Sequence, residues 1–373
     1  MPSTAVSDTA HYNIMRFLIV TYDEYINIPY IEKYERSILA QGGSYDVILW
    51  DRRNCIQDVK PNWFVFKGRT GKGKLTKALP FLRWRHFVCH CLRADCYDRL
   101  IVLTTIPAIL LYDQLMGKYK RKFLFDIRDY TYEGIPIYKW MVNCLVKASC
   151  FTAISSKAFF SFIEPAENIG VTHNISNLPH AVSTCTLRTG AGRSIVIGFV
   201  GGIRYYKENT RLLAELKNNP RYFFKYVGKT HPGCELEKFC RIQGIRNVSF
   251  SPAYMNGEKP EIYRAIDLIN AVYGADSPET RLALPNKLYD CIIFKKPILV
   301  SRGTYLSQIV EEYGLGLSIE LKEGELAEQI EAYLYRFDQA RFMQGCKALL
   351  QRVCQEEDAL MQRLWPFCGY TEK

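Results

Sequence analysis

Short apolar runs alternate with longer segments of helical spacing along most of the 373-residue chain. The runs are rich in Val, Ile, Phe and Leu and predict strands. In the first half they lie at 17–21, 46–50, 100–103, 123–126, 150–154 and 171–174, and in the second at 195–200, 223–227, 248–250, 268–271, 298–300 and 317–319. Helical spacing at 322–336 and 340–363 predicts two closing helices. Strands that alternate with helices form parallel sheets covered on both faces, so the pattern predicts an α/β fold.

The alternation is interrupted once, over 176–194, where Pro, Gly, Ser and Thr accumulate. Such a segment is typical of a linker between domains. We therefore predict two Rossmann-like domains, one over 1–180 and one over 190–350. If they face each other, the carboxyl ends of their strands and the ligand sites lie in the cleft between them.

Composition is that of a globular protein, with 48% hydrophobic and 23% charged residues. No apolar run approaches the ~18 residues of a membrane span, and the first residues lack the pattern of a signal peptide. We therefore expect a cytoplasmic protein. The 13 cysteines mostly stand alone within apolar patterns and are interpreted as buried thiols. The Cys89-His90-Cys91 cluster with Cys96 lacks the second ligand pair of a zinc site, so we expect no metal.

Charge is concentrated in one segment. The net charge is +11, and residues 59–94 contain nine Lys or Arg and no acid. Aromatic and aliphatic residues lie between these cations. This combination is typical of a segment that binds an anionic membrane surface. The predicted membrane-binding residues are Lys72, Lys74, Lys77, Arg83, Trp84 and Arg85. A solvated face of an ordinary helix and a nucleic-acid site are the alternatives, and no nucleic-acid motif accompanies the charge.

The same segment contains Gly68–Lys74, which matches the first seven positions of a P-loop. The eighth position is Leu75, where a P-loop needs a Ser or Thr hydroxyl for Mg²⁺. A flexible basic loop is the preferred interpretation, and a nucleotide-binding module remains the alternative.

Two segments of the second half are suited to bind phosphate. The run 195–200 ends in Gly201 and Gly202 and then becomes basic before a helical pattern opens. The second segment, 284–290, begins a helix at Pro285 and precedes another strand. Glycine turns and helix N-termini at the carboxyl ends of parallel strands offer unpaired N–H groups, so together the two segments predict a diphosphate site.

These residues resemble the C-terminal domain of GT-B glycosyltransferases, in particular retaining family 4, which uses nucleotide-sugar donors. The matching positions are Gly201, Arg204, Lys207, Pro285, Lys287, Tyr289, Asp290 and Lys296-Pro297. The resemblance is clear over 195–320, weaker over 120–178 and faint before that. Three departures stand out. The family has glutamate at the position of Asp290, and many members have a second glutamate eight positions earlier, where this chain has Leu282 and where Glu279 is near but out of register. The family's phosphate arginine aligns with Gly202, so that Arg204 would have to substitute.

The resemblance implies roles for these residues. Arg204 and Lys207 would stabilise the diphosphate leaving group, and the donor would also contact Gly201, Gly202, Gly228, Pro285, Asn286, Lys287 and Asp290, the last through the ribose hydroxyls. A final helix, 351–373, would return to the N-terminal domain. No metal or other cofactor is then required. In the first half, Asp129 could orient an acceptor or sugar hydroxyl, or could simply cap a helix and pair with an arginine.

We therefore predict a glycosyltransferase that moves a sugar from a nucleotide-sugar, on family grounds a UDP-sugar. The acceptor would be a lipid-linked or oligosaccharide chain in surface-polysaccharide assembly, and the enzyme would lie on the inner face of the plasma membrane. A GT-B epimerase or phosphorylase is the alternative enzyme. A basic membrane-binding or P-loop-like nucleotide-binding module without catalysis is the alternative of a different class.

Overall fold

A computed structural model describes residues 14–54, 56–68, 74–175, 193–231 and 233–369. The chain divides into two compact units. The first unit contains Met1–Ile154, Phe162–Val171 and Asp358–Lys373, and the second contains Ser155–Ser161 and Thr172–Glu357. Most of the predicted linker and most of the P-loop-like segment lie outside the described residues.

A seven-stranded sheet forms the centre of the first unit. Its strands are β1 (Arg16–Val20), β2 (Ser44–Asp51), β3 (Trp63–Lys67), β4 (Arg99–Leu103), β5 (Phe123–Ile127), β6 (Phe151–Ile154) and β7 (Ile169–Val171). The order across the sheet is β3-β2-β1-β4-β5-β6-β7, and the pairings between neighbours are parallel.

Five helices of this unit follow its strands within the described residues: α1 (Ile31–Ala40), α2 (Lys74–Ala94), α3 (Thr105–Leu110), α4 (Tyr112–Met116) and α5 (Pro136–Ala148). The connection from β1 to β2 runs in one direction across the sheet, and those from β3 to β6 run in the other. Right-handed crossovers therefore place α1 on one face and α2, α3 and α5 on the opposite face. Contacts of α3 with both α2 and α5 agree with one shared helical layer.

The second unit contains a six-stranded parallel sheet. Its strands are β8 (Ile195–Val200), β9 (Tyr222–Val227), β10 (Val248–Ser251), β11 (Leu268–Ala271), β12 (Ile298–Ser301) and β13 (Gly316–Ile319). The order is β10-β9-β8-β11-β12-β13. Counted within the unit this is 3-2-1-4-5-6, the strand order of the doubly wound Rossmann fold.

The helices described for this unit are α6 (Tyr206–Glu215), α7 (Leu236–Gln243), α8 (Lys259–Arg264), α9 (Pro278–Leu282), α10 (Asn286–Phe294), α11 (Tyr305–Tyr313), α12 (Leu326–Tyr335) and α13 (Gln339–Cys368). Single 3-10 turns occur at Tyr25–Asn27, Lys157–Ser161 and Asn256–Glu258. The long helix α13 is shared. Its first part buries Phe342 and Leu349 in the core of the second unit, and its last part buries Leu360 and Leu364 in the core of the first.

Burial explains why the strands could be predicted. All residues of β5, β6, β11 and β12 are buried, as expected for central strands of sheets covered on both faces. The predicted parallel α/β fold with two Rossmann-like units is confirmed. The strand β3 was missed. Each of its first four residues is only half-buried, since β3 lies at the sheet edge.

The strand order changes direction at one point in each sheet, between β1 and β4 and between β8 and β11. The loops that leave two such strands diverge, one towards each face of the sheet, so a crevice opens at their carboxyl ends. In the second unit the loops are those after Val200 and Ala271, and the first of them begins with the predicted glycines. No helix in the described part of the chain is both long enough and apolar enough to cross a membrane.

Candidate functional site

The crevice of the second unit begins at a glycine turn after β8. Gly201 has φ +117° and Gly228, after the neighbouring strand β9, has φ +141°, both in the region that side chains rarely adopt. A Cβ on Gly228 would collide with the carbonyl oxygen of Gly201, so the two turns pack backbone to backbone. A Cβ on Gly201 or Gly202 would meet nothing within 4 Å. The backbone of the Gly201–Gly202 turn is therefore open to a ligand.

Asn209 fixes the loop that follows the glycines. Its side chain is fully buried, and its Nδ2 donates to the carbonyl oxygens of Arg204 at 3.0 Å and Tyr205 at 2.9 Å. Its Oδ1 accepts from Tyr226 Oη and Asn270 Nδ2, both at 2.9 Å. All four bonds are within the range of good geometry. They hold the chain in place where Arg204 leaves the sheet.

Arg204 is exposed at the crevice and lies beside stacked aromatic rings. Its guanidinium is 5.7 Å from the ring centre of Tyr205, which in turn stacks on Tyr273 at 4.2 Å. Burial raises the pKa of Tyr273 well above its ordinary value, and the positive charge of Arg204 acts in the opposite direction. Arg204 is thus near the end of β11 as well as the end of β8.

Lys207, the second predicted cation, points elsewhere. Its Nζ pairs with Asp276 Oδ2 at 2.5 Å, and both side chains are mostly exposed. The hydrogen bond raises the pKa of Lys207, but an exposed pair of this kind contributes little stability. Lys207 can reach a ligand only by leaving Asp276. The structure therefore does not bring it together with the other cations of the crevice.

Lys287, near the start of α10, is buried against aromatic rings. Its Nζ donates to Tyr273 Oη at 2.9 Å and lies 3.5 Å from the ring centre of Phe199. Burial lowers the pKa of Lys287 to about 7, with a further lowering from Arg204 and a partly compensating effect of Asp290. A lysine in this position is incompletely protonated near neutral pH, and an anionic ligand would restore its full charge.

The N-terminus of α10 adds backbone donors beside Lys287. Pro285 is the extended residue before the helix, and Asn286 is its first residue. The first N–H groups of a helix have no intrahelical acceptor, and the helix dipole favours an anion there. The side chain of Asn286 accepts from Asn174 Nδ2 at 3.0 Å.

Asp290, predicted to contact ribose, has two protein partners. Its Oδ1 accepts from Lys259 Nζ at 2.9 Å, and its Oδ2 accepts from Tyr263 Oη at 2.7 Å. A carboxylate offers about four acceptor positions, so each oxygen can take one more hydrogen bond. The contact with ribose remains a prediction. What the structure adds is that α8 fixes the orientation of this carboxylate.

In the first unit, Asp129 follows β5 and is exposed. Its charge acts on the hydroxyls of Tyr22 and Tyr30, so it lies at the carboxyl end of the sheet. The neighbouring pair is buried: Arg128 Nε lies 2.8 Å from Asp126 Oδ1. Asp126 also accepts from Tyr34 Oη at 2.7 Å. Arg128 thus pairs with Asp126. The contact of Asp129 with an acceptor stays a prediction.

The predicted membrane-binding residues lie in different environments. Lys72 lies outside the described residues, and the side chains of Lys74 and Lys77 are not described. Arg83 is exposed on α2. The prediction is wrong for Trp84, which is fully buried and stacks on Trp50 at 6.4 Å. Arg85 pairs with Asp113 at 2.9 Å.

Among the described residues, no group of three or more His, Cys, Asp or Glu side chains is arranged to hold a metal ion. The residues of the crevice that the sequence did not predict are Phe199, Asn209, Tyr273, Lys259 and Tyr263. Tyr273 follows β11 by two residues, and a search of every strand end could have found it. The others become neighbours of the crevice only through the strand order and helix packing.

Comparison with known proteins gives matches only at the level of structure. No family model matches the chain, and no curated protein matches its sequence. Sucrose-phosphate synthase from Thermosynechococcus elongatus aligns with a TM-score of 0.69 at 13% identity, over 94% of this chain and 97% of its own. HepE from Anabaena in complex with UDP-glucose aligns with a TM-score of 0.67 at 15% identity, over 94% and 99%.

A UDP-N-acetylglucosamine 2-epimerase from Rickettsia bellii also matches, with a TM-score of 0.61 at 9% identity over 95% of this chain and 97% of its own. At such identities the comparisons establish the fold alone. That fold is the pair of Rossmann-like units found in GT-B glycosyltransferases and in this epimerase.

Proposed function

We propose that this protein is a glycosyltransferase that takes its sugar from a nucleotide-sugar, most simply a UDP-sugar. The observation that carries the proposal is the presence of two cations at the crevice between β8 and β11, beside an open glycine turn. Arg204 lies against Tyr205, which stacks on Tyr273. The buried Lys287 donates to Tyr273. The charge of Arg204 adds to the lowering of the Lys287 pKa that burial causes, so the two cations influence each other in the folded unit. Like charges repel, and Asp290 compensates this repulsion only in part. A diphosphate would relieve that repulsion.

Donor chemistry explains why charge is needed there. When the bond between the sugar C1 and the diphosphate oxygen breaks, negative charge grows on the departing diphosphate. Fixed donors aimed at that charge lower the barrier, because they do not have to reorganise during the reaction. Arg204 offers a planar fork of N–H donors, Lys287 a buried ammonium and α10 its first N–H groups. The Gly201–Gly202 backbone is accessible to the same ligand.

The finer parts of the proposal concern stereochemistry and acceptor. We propose a retaining transfer in which the acceptor hydroxyl attacks C1 on the face that the diphosphate leaves. The new C–O bond forms as the old one breaks, and the hydroxyl proton passes to the diphosphate. This course needs no metal and no other cofactor. Asp129 would orient the acceptor hydroxyl. Family resemblance supports the retaining course, and HepE supports UDP-glucose as the first donor to test.

We further propose a lipid-linked or oligosaccharide acceptor in surface-polysaccharide assembly, with the protein at the inner face of the plasma membrane. The support is the basic segment 59–94, in which Arg83 is exposed. Each cation near an anionic bilayer contributes roughly 1 kcal/mol.

Turnover of UDP-sugars tests the donor assignment. Without an acceptor, a transferase hydrolyses its donor slowly, and NMR of the released sugar shows its anomeric form. We expect Arg204→Ala and Lys287→Met each to lose about 2–4 kcal/mol of transition-state stabilisation, a rate loss of roughly 30- to 1,000-fold. Arg241→Ala is the matched control, since Arg241 is an exposed arginine on α7. Unchanged turnover in both site variants would contradict the assignment. Conversion of the UDP-sugar to its epimer would instead support the epimerase alternative.

A further inference from the structure

The helical layer formed by α2, α3 and α5 in the first unit carries large apolar side chains in solvent. Six of them are at least half exposed. Two lie on α2, and four lie just before or within the first turns of α5. We call this group the apolar rim: Leu79, Leu82, Tyr132, Ile135, Ile137 and Trp140. Single exposed apolar residues are normal, but six in one layer indicate an interaction surface.

All members of the apolar rim lie at one end of the layer. A helix that follows a strand of a parallel sheet starts at the carboxyl end of that strand and runs back along the sheet. Leu79 and Leu82 lie in the first half of α2 (Lys74–Ala94), and Ile137 and Trp140 lie in the first turns of α5 (Pro136–Ala148). The helix α3 contacts both. The rim therefore follows the carboxyl edge of the sheet, from which Asp129 also projects.

The charges around the apolar rim favour an anionic partner. Two cations, Arg83 and Lys139, are exposed beside it, against one exposed acid at the same edge, Asp129. Glu133 lies between the rim residues Tyr132 and Ile135 in the sequence, but its side chain is turned inwards. It is 2% exposed and accepts from the Thr131 N–H at 2.5 Å. Tryptophan, tyrosine and isoleucine beside exposed cations match the headgroup region of a bilayer, where rings enter the interface and cations meet lipid phosphates.

We infer that the apolar rim is the surface through which this protein rests on an anionic bilayer, with Ile137 and Trp140 inserted among the headgroups. The inference deepens the membrane part of the proposed function and rests on it, but it is independent of the donor chemistry. It replaces the buried Trp84 with Trp140 as the anchoring aromatic residue. It also brings the strand end that carries Asp129 to the lipid surface, where a lipid-linked acceptor would present its headgroup.

The chain provides a matched control for Trp140. Trp365 is likewise about half exposed and belongs to the same unit, but it lies on α13. The end of α13 packs with α1 in another cluster, on the opposite face of the sheet. Fluorescence of the full-length protein can therefore distinguish the two faces. The probes are vesicles of phosphatidylglycerol and phosphatidylcholine with brominated acyl chains, and vesicles of phosphatidylcholine alone.

We expect bromine to quench the wild-type protein and Trp365→Phe, and to quench Trp140→Phe much less. In co-sedimentation, Ile137→Ala with Trp140→Ala should weaken binding to the anionic vesicles by about tenfold or more, while Trp365→Ala leaves it unchanged. Circular dichroism and the thermal shift with UDP-glucose verify that each variant is folded. The circular dichroism spectrum and the thermal shift of each variant should match those of the wild type, because the substituted side chains are exposed and lie in the first unit.

Each contrary outcome has a distinct meaning. If the wild type binds neither kind of vesicle, the membrane part of the proposed function and this inference both fail, and the donor assignment stands on its own test. If the double variant binds as the wild type does, the inference alone fails, and the basic segment accounts for binding. Self-association that is lost in the double variant, without lipid binding, would assign the rim to a second copy and overturn the inference.

Discussion

If the crevice binds a nucleotide-sugar as proposed, its affinity should depend on pH through Lys287. In the free protein burial lowers this pKa to about 7, so the amine is roughly half protonated at pH 7. A bound diphosphate places negative charge beside the amine and raises its pKa. Binding therefore takes up a proton. Affinity must fall as the pH rises above the pKa of the free protein, until it reaches the pKa of the complex.

The magnitude follows from the protonated fraction. With a pKa of about 7, that fraction falls from about one half at pH 7 to about 3% at pH 8.5. If only the protonated form binds well, the Kd for UDP-glucose should rise by about 15-fold over this range, or roughly 1.6 kcal/mol. The sugar diphosphate does not itself titrate there, so the change reports on the protein.

Isothermal titration calorimetry at pH 7.0, 7.75 and 8.5 measures this change, and buffers of different ionisation enthalpy report the proton uptake directly. Lys287→Met should bind more weakly and without the pH dependence, since no titrating amine remains at that position. A Kd that stays constant in the wild type would show that no proton is taken up by Lys287 on binding. A slope that persists in Lys287→Met would assign the pH dependence to another group.

Three further predictions follow from the second unit. Asn209→Ala should lower the free energy of unfolding in urea by about 2–3 kcal/mol, because buried hydrogen-bonding groups lose their partner; a loss below ~0.5 kcal/mol would contradict it. Asp290→Asn should weaken UDP and UDP-glucose by the same factor in calorimetry, because ribose is remote from the reacting carbon; an unequal loss would argue against a ribose contact. Burial alone would raise the pKa of Glu356, but hydrogen bonds from His173, Lys157 and Arg352 lower it to about 2. The ionised Glu356 should contribute about 3 kcal/mol to the free energy of unfolding. This contribution should be complete above pH ~4.5 and lost as the pH falls towards 2. The difference in unfolding free energy between wild type and Glu356→Gln should shrink over that range, and a constant difference would exclude this origin.

Local sequence signals were sufficient for most strands of the fold, although the predicted strand 171–174 overlaps β7 at one residue only. The predicted strands 195–200 and 268–271 coincide with β8 and β11 to the residue, because each is an apolar run bounded by turn or polar residues. The edge strand β3 carries the same signal, because 63–66 is an apolar run between two polar residues. It was missed because this run was interpreted as part of the basic segment that contains Gly68–Lys74.

The site was predicted less completely because its geometry depends on pairings distant in sequence. Lys287 was identified from its position after Pro285, but its burial against Phe199 and Tyr273 arises only when three separate segments pack together. Lys207 follows the family spacing, yet its neighbour in space is Asp276. Trp84 resembles an interfacial residue in sequence, whereas the helix turns it towards the sheet. Sequence spacing identifies side chains of suitable chemistry but not the direction in which they point.

We propose that the crevice between β8 and β11 binds the diphosphate of a nucleotide-sugar through Arg204 and Lys287. A thermal-shift panel of UDP-, GDP-, CMP- and TDP-sugars, with ATP for comparison, tests it most directly on the wild type and on the Arg204→Ala, Lys287→Met double variant. We predict that a UDP-sugar raises the melting temperature of the wild type, that the double variant loses this shift, and that ATP has no effect. Stabilisation by no nucleotide-sugar, or an equal shift in the double variant, would contradict the claim.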